Sequence, residues 1–219
     1  MADAPSRRPI VPEPTDALLL VDVQNDFVPG GSLPVPHGHD IVPLLNRLAH
    51  GFATVIATQD WHPPGHLSFA TAHPGRAPFT TVDLPYGPQM LWPDHCVQGS
   101  EGAALVAALD LRRACLVLRK GCRRTVDSYS AFAEADGTPT GLAGYLRERG
   151  VVRVFVAGLA TDFCVRATAV DAAAAAFATV VIADACRGID AAGSLAAAWR
   201  AMAEAGVARL LSTDLALPA

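Results

Sequence analysis

The sequence predicts an α/β fold of three layers, αβα, in which a six-stranded, mainly parallel, Rossmann-like sheet carries helices on both faces. Three observations carry this. Short apolar runs alternate along the chain with segments of helical spacing, the pattern of a parallel sheet covered on both sides. The run at 151–157, VVRVFVA, is apolar and β-branched except for Arg153, as a buried parallel strand requires. Asp22, Asp60, Lys120 and Cys164 each fall at the carboxyl end of a predicted strand, the edge at which open α/β sheets bind ligands.

Taken in order, residues 1–16 hold several prolines and two arginines with no apolar stretch behind them. They are expected to form a loose leader rather than a secretory signal. A single domain is expected over 17–219. The first strand is 17–23, ALLLVDV. Asp22 lies inside this apolar run, so its carboxylate is half buried and needs a partner. The loop VPGGSLPVPHG follows, then a helix over 40–48 with Asp40 as its cap, Pro43 in its first turn and Gly51 as its stop. The second strand, 53–58, runs into Gln59-Asp60-Trp61-His62. Repeated prolines keep 61–99 irregular, and a loop this long in a compact domain is usually functional. It carries His62, His66, His73 and His95, four of the seven histidines.

Ser100 is expected to cap a short helix over 100–109. The third strand, 114–119, is followed by Lys120-Gly121, and a second loop at 126–133 brings in Tyr129. Thr140 caps a helix ended by Gly150. The fourth strand ends at Gly158, and a helix capped by Thr161 or Asp162 begins beside Cys164. The fifth strand (179–183), a helix over 191–205 ended by Gly206 and the sixth strand (207–211) complete the fold.

Composition excludes several classes. A net charge of −4 with no basic face argues against nucleic acid. No apolar run is long enough to cross a bilayer. Five scattered cysteines, odd in number and without a CxxC pair, argue against a disulfide framework and for a reducing cytoplasm. No GxGxxG follows the first strand, so dinucleotide binding is not supported.

Three constellations carry chemistry. In the first, Cys164 opens a helix after a strand and a tight turn, where the helix dipole and unpaired N–H groups favour thiolate. A thiol nucleophile needs a group that removes its proton and later delivers one to the leaving group. Asp22 can do both if a cation, Lys120, holds it in place. In the second, Asp60 and His62 lie on one side of an extended segment, and His95 from a distant loop gives a third ligand, with His66 left open. Three protein ligands with open positions suit a catalytic or ligand-binding metal rather than a closed structural site. Oxygen and nitrogen donors leave zinc, iron and manganese open as the one divalent ion. In the third, Phe27, Trp92 and Tyr129 stand in loops beside these groups and suggest a flat, apolar substrate ring.

The stretches VDVQNDFVPGGSLPV, TQDWHPPGHLSFA, LWPDHCVQG, the Lys120-Gly121 pair, DSYSAF, GLATDFCVRATAVDA and DACRGI run in order over almost the whole chain beyond the leader. Together they closely resemble the nicotinamidases, also called pyrazinamidases, of the isochorismatase-like cysteine hydrolase superfamily. The resemblance implies that Cys164 is the nucleophile, Asp22 the general base and then acid, and Lys120 its orienting cation. It implies an oxyanion hole from the N–H groups of Ala160 and Cys164, and a cis peptide between Leu159 and Ala160. It further implies that Asp60, His62 and His95 hold a metal that binds a pyridine nitrogen, with Phe27 and Trp92 sandwiching the ring. The implied reaction is nicotinamide plus water giving nicotinate and ammonia through a thioester, in NAD salvage.

The nearest rival is another amidohydrolase of the superfamily, acting on a carbamoyl or ureido compound. The metal triplet argues against it, because such substrates have no ring nitrogen to anchor. A non-catalytic binding protein would be expected to lose Cys164, Asp22 or Lys120. Homo-oligomerisation is left open.

Overall fold

A computed structural model describes residues 9–217. Six strands form the main sheet: β1 (Asp16–Val21), β2 (Thr54–Asp60), β5 (Ala114–Lys120), β6 (Arg153–Leu159), β7 (Ala178–Arg187) and β8 (Ala208–Leu210). Their order is β5-β2-β1-β6-β7-β8, and every neighbouring pair is parallel. The helices are α1 (Val42–His50), α2 (Leu142–Glu148), α3 (Arg166–Ala174) and α4 (Ser194–Glu204). Right-handed crossovers put α1 on one face and α2, α3 and α4 on the other. Arg147 of α2 donates to the Ala175 carbonyl at the end of α3, and α1 holds the connection into β5 through Asn46, which donates to Ala108 O at 2.9 Å. Among the described residues no helix is long and apolar enough to cross a membrane.

The chain enters the sheet at its centre. All six residues of β1 are buried, and Asp16 at its start meets Arg153 at the start of β6. The strand order reverses between β1 and β6, so a crevice opens at their carboxyl ends. Four strands run further than their apolar runs suggest: β2 to Asp60, β5 to Lys120, β6 to Leu159 and β7 to Arg187. Pairing with neighbours continues past the first polar residue or glycine, as in Asp60 with Lys120 and Gly158 with Val21. Gly158, expected to end its strand, lies inside it. A Cβ there would sit 2.2 Å from Val21 O, so glycine is what lets β1 and β6 approach.

Four local expectations are corrected. Residues 100–109 form turns, not a helix. Ser100 Oγ does accept the Ala103 N–H, but the carbonyls of Gly102 and Ala104 are taken by Asp26 and Asn25 N–H, and Val106 N–H goes to Val23 O. The 61–99 stretch is not wholly irregular: β3 (Thr81–Leu84) and β4 (Gly87–Met90) form an antiparallel hairpin, hidden in the sequence by Pro85 and Pro88. Asp40 does not cap α1, because its carboxylate turns to His37 and His39. Neither Thr161 nor Asp162 caps the Cys164 helix, which opens on a single π turn, Thr161–Val165, with Ala160 before it. Of the leader expected over 1–16, residues 1–8 lie outside the described residues. Ile10 bridges Leu215, and its N–H donates to Asp214 O at 2.8 Å.

Candidate active site

The crevice gathers the four strand-end residues. Asp22 follows β1 with φ +48°, and Thr58 of β2 fixes it twice: the Asp22 N–H donates to Thr58 Oγ1 at 3.1 Å, and that hydroxyl donates to Asp22 Oδ1 at 2.6 Å. Lys120 ends β5, two strands away from β1, and its long stem reaches past β2. Its Nζ lies 2.8 Å from Asp22 Oδ2, pairs with the Asp60 carboxylate, donates to Ser128 O at 2.9 Å and stands 3.5 Å from Cys164 Sγ. Ligand atoms of Asp22, Asp60 and Cys164 all lie within 4.8 Å of one another.

Burial sets the protonation of this group. It raises the Asp22 pKa against the pull of Lys120. Burial alone would lower the Lys120 ammonium, but Asp22, Asp60 and Cys164 hold it well above its ordinary value. Burial also pushes the Cys164 thiol well up, with Lys120 opposing and the two carboxylates adding. The helix start, expected to favour thiolate, is outweighed in the free protein, so the thiol needs a base at the moment of attack.

Asp60, His62 and His95 form a second group, each offering a ligand atom within 4.8 Å of the others, and all three are buried. Each imidazole is oriented by a carbonyl. His62 Nδ1–H donates to Gly121 O at 3.0 Å and His95 Nδ1–H to Pro93 O at 2.8 Å, which leaves both Nε2 atoms free to ligate. Burial and His62 bring the His95 pKa down to about 4, so the ring is neutral, as a candidate ligand must be. Despite burial, Lys120 and His62 hold Asp60 below the usual carboxylate range. Against burial, Asp60 raises the His62 pKa, so that ring must shed its proton to ligate; with it, a neutral His95 and an ionised Asp60 fit a divalent ion. His66 is not brought into this group. It lies with its ring centroid 4.4 Å from that of His62, donates from Nε2 to Val126 O and accepts at Nδ1 from Ser68.

Phe27, Trp92 and Tyr129 line one cavity with Asp60, His95, Ala160 and Cys164. Tyr129 also positions Trp92, whose Nε1–H donates to the tyrosine hydroxyl at 2.9 Å. The Leu159–Ala160 peptide is cis. Several residues here were not singled out from the sequence. Gln24 accepts the Asp60 N–H at 2.7 Å and donates to Asp60 O at 2.8 Å, so it fixes the backbone of a candidate ligand. Leu33, Phe163 and Ile189 complete the cavity lining. Gln24 stands beside Asp22 in the sequence, and Phe163 directly before Cys164, but partners tens of residues away give no local signal.

A model of the isochorismatase domain matches residues 16–214. The chain belongs to the isochorismatase family. Within that family it is 55% identical to the nicotinamidase of Acinetobacter baylyi over 91% of this chain and 94% of that one. Among solved family structures, PnC1 from L. infantum in complex with nicotinate superposes with a TM-score of 0.82 at 42% identity, covering 93% of this chain and 96% of that one. The pyrazinamidase of Pyrococcus horikoshii in complex with zinc gives a TM-score of 0.74 at 36% identity, covering 90% and 99%.

Proposed function

We propose that this isochorismatase-family protein is a nicotinamidase, hydrolysing nicotinamide to nicotinate and ammonia through a thioester on Cys164. The single observation that carries the reading is the position of Lys120 Nζ. It touches Asp22 and Asp60 and stands 3.5 Å from Cys164 Sγ, so one cation joins the thiol group to the metal-ligand group in a single cavity. The nicotinamidase relative and the nicotinate-bound structure support the substrate class.

Asp22 takes the thiol proton as Sγ attacks the carboxamide carbon. The backbone N–H groups of Ala160 and Cys164 receive the developing oxyanion. Asp22 then gives its proton to the departing nitrogen, and ammonia leaves a thioester. Water enters, Asp22 removes its proton as the oxygen attacks the thioester carbon, the C–S bond breaks, Asp22 returns that proton to Sγ, and nicotinate leaves. Lys120 keeps Asp22 in place through both halves. Asp60, His62 and His95 would hold a divalent ion that supplies a Lewis-acid anchor for the pyridine nitrogen. The zinc-bound relative supports a metal there, and zinc, iron and manganese all suit the donors. Phe27 and Trp92 flank the ring, and Tyr129 holds Trp92.

We extend the reading to NAD salvage, and to a single hydrolase domain behind a short leader. Cytoplasmic residence is supported by five free cysteines.

The test is ammonia release from nicotinamide by wild type and Cys164→Ala. Loss of turnover by several orders of magnitude with retained nicotinamide binding, and a trapped thioester on wild type, are the expected results. Near-normal turnover in the variant would sink the covalent mechanism.

A further inference from the structure

We infer that Asp162 is a positioning residue that clamps the loop 188–194 against the nucleophile turn, and that Ile189 on this loop thereby sets which ring substituents the cavity admits. The inference rests on the nicotinamidase reading for its substrates but not for its geometry. Asp162 lies two residues before Cys164 in the π turn and is only 2% exposed. Its side chain does not cap that turn. It turns instead to the loop 188–194, where Oδ1 accepts the Ile189 N–H at 3.0 Å. Oδ2 accepts the Asp190 N–H at 2.8 Å and the Ser194 hydroxyl at 2.5 Å. Among the described residues no cation lies in an ion pair with this carboxylate, so three converging donors meet its charge. A buried carboxylate so held is a strong, directional tie.

The loop needs such a tie. Asp190 and Ala192 both sit in the left-handed region, at φ +57° and +51°, which non-glycine residues rarely hold without support. Gly188 is packed so closely that a Cβ would lie 3.1 Å from Asp162 Oδ1. The outcome is that Ile189 lines the same cavity as the candidate ring-binding aromatics and Cys164. Its reach into the cavity is fixed from the same short segment that carries the nucleophile. An amide at 162 would turn an NH2 group against one of the N–H donors, so Asp162→Asn should release part of the loop.

The experiment compares the metal-replete full chain with Asp162→Asn and Ile189→Ala. It reads kcat/KM for nicotinamide and for ring-methylated nicotinamides, and hydrogen exchange at the amides of Ile189 and Asp190. Ile189→Ala should lower discrimination against a bulkier ring by about tenfold, the effect of one or two methyl groups in an apolar pocket. Asp162→Asn should lower it similarly, mainly through KM, with kcat nearly kept and amide exchange at 189 and 190 accelerated. Unchanged discrimination in Ile189→Ala, or unchanged exchange in a folded Asp162→Asn, overturns the inference. If Asp162→Asn does not fold, Ile189→Ala decides alone. A wild type that releases no ammonia from nicotinamide defeats the activity reading instead, and the exchange measurement still reports on the clamp.

Discussion

Lys120 Nζ lies 2.8 Å from Asp22 Oδ2, with both side chains closed to solvent. A buried ion pair adds little by itself, but removing one partner strands the other. Lys120→Met would leave Asp22 and Asp60 facing each other without a cation. It should cost about 3–5 kcal/mol of unfolding free energy in urea, and turnover should fall by orders of magnitude. Adding Asp22→Asn should return part of the stability and none of the activity, since neighbours in one network are not additive. A single variant as stable as wild type would show the pair to be unimportant for the fold.

The raised Cys164 thiol predicts slow alkylation of the resting protein. Thiolate is the reactive form, and burial with two carboxylates lowers its population, so reactivity must increase as pH climbs. At about pH 7, iodoacetamide should modify Cys164 more slowly than the exposed Cys115, as followed by peptide mass spectrometry. The Cys164 rate should still be climbing at about pH 9. A plateau below about pH 8 would mean that the cysteine is already a thiolate at rest.

Metal removal separates an anchor from a chemical role. If the ion anchors the ring nitrogen, chelation should greatly weaken nicotinamide turnover. Benzamide, with no ring nitrogen, should be a poor substrate with or without metal. If the ion instead activates water, both amides should lose by a similar factor. The measurement is kcat/KM for each on holo protein, chelated protein and His62→Ala.

Gly121 follows Lys120 at φ +63°, and a Cβ there would lie 2.4 Å from His62 Cε1. Its carbonyl also orients the His62 ring. Gly121→Ala should therefore displace the imidazole and weaken metal affinity about 10–100-fold, read by competition with a chromophoric chelator. Wild-type affinity in this variant would remove His62 from the ligand set.

The sequence carries much of this site because strand ends announce themselves. Asp22 interrupts an apolar run, and Asp60 and Lys120 each close one, so their shared edge follows once the strands alternate with helices. Cys164 follows from the glycine after 151–157. The hairpin Thr81–Leu84/Gly87–Met90 stayed hidden because its prolines read as breakers. The 100–109 segment looked helical because nothing local shows that Asn25 and Asp26 claim its carbonyls. Asp162 reads as a helix cap by type and position, and its true partners lie 27 to 32 residues further on. Legibility thus fails where a side chain's hydrogen bonds are non-local.

The central pairing of β1 with β6 has a consequence for biosynthesis. Asp16 and Arg153, which open the two strands, are 137 residues apart in the chain. As the ribosome makes the protein, β1 appears early with all six residues destined for burial in the finished fold, and its inner edge waits until β6 emerges. Contacts so distant in sequence are slow to close, and an unpaired strand edge invites association with other chains meanwhile. The proposed base, Asp22, arrives with the first strand and the proposed nucleophile, Cys164, only after the fourth of the main sheet. A chain stalled between them carries the proposed base on a strand whose inner edge is still unpaired.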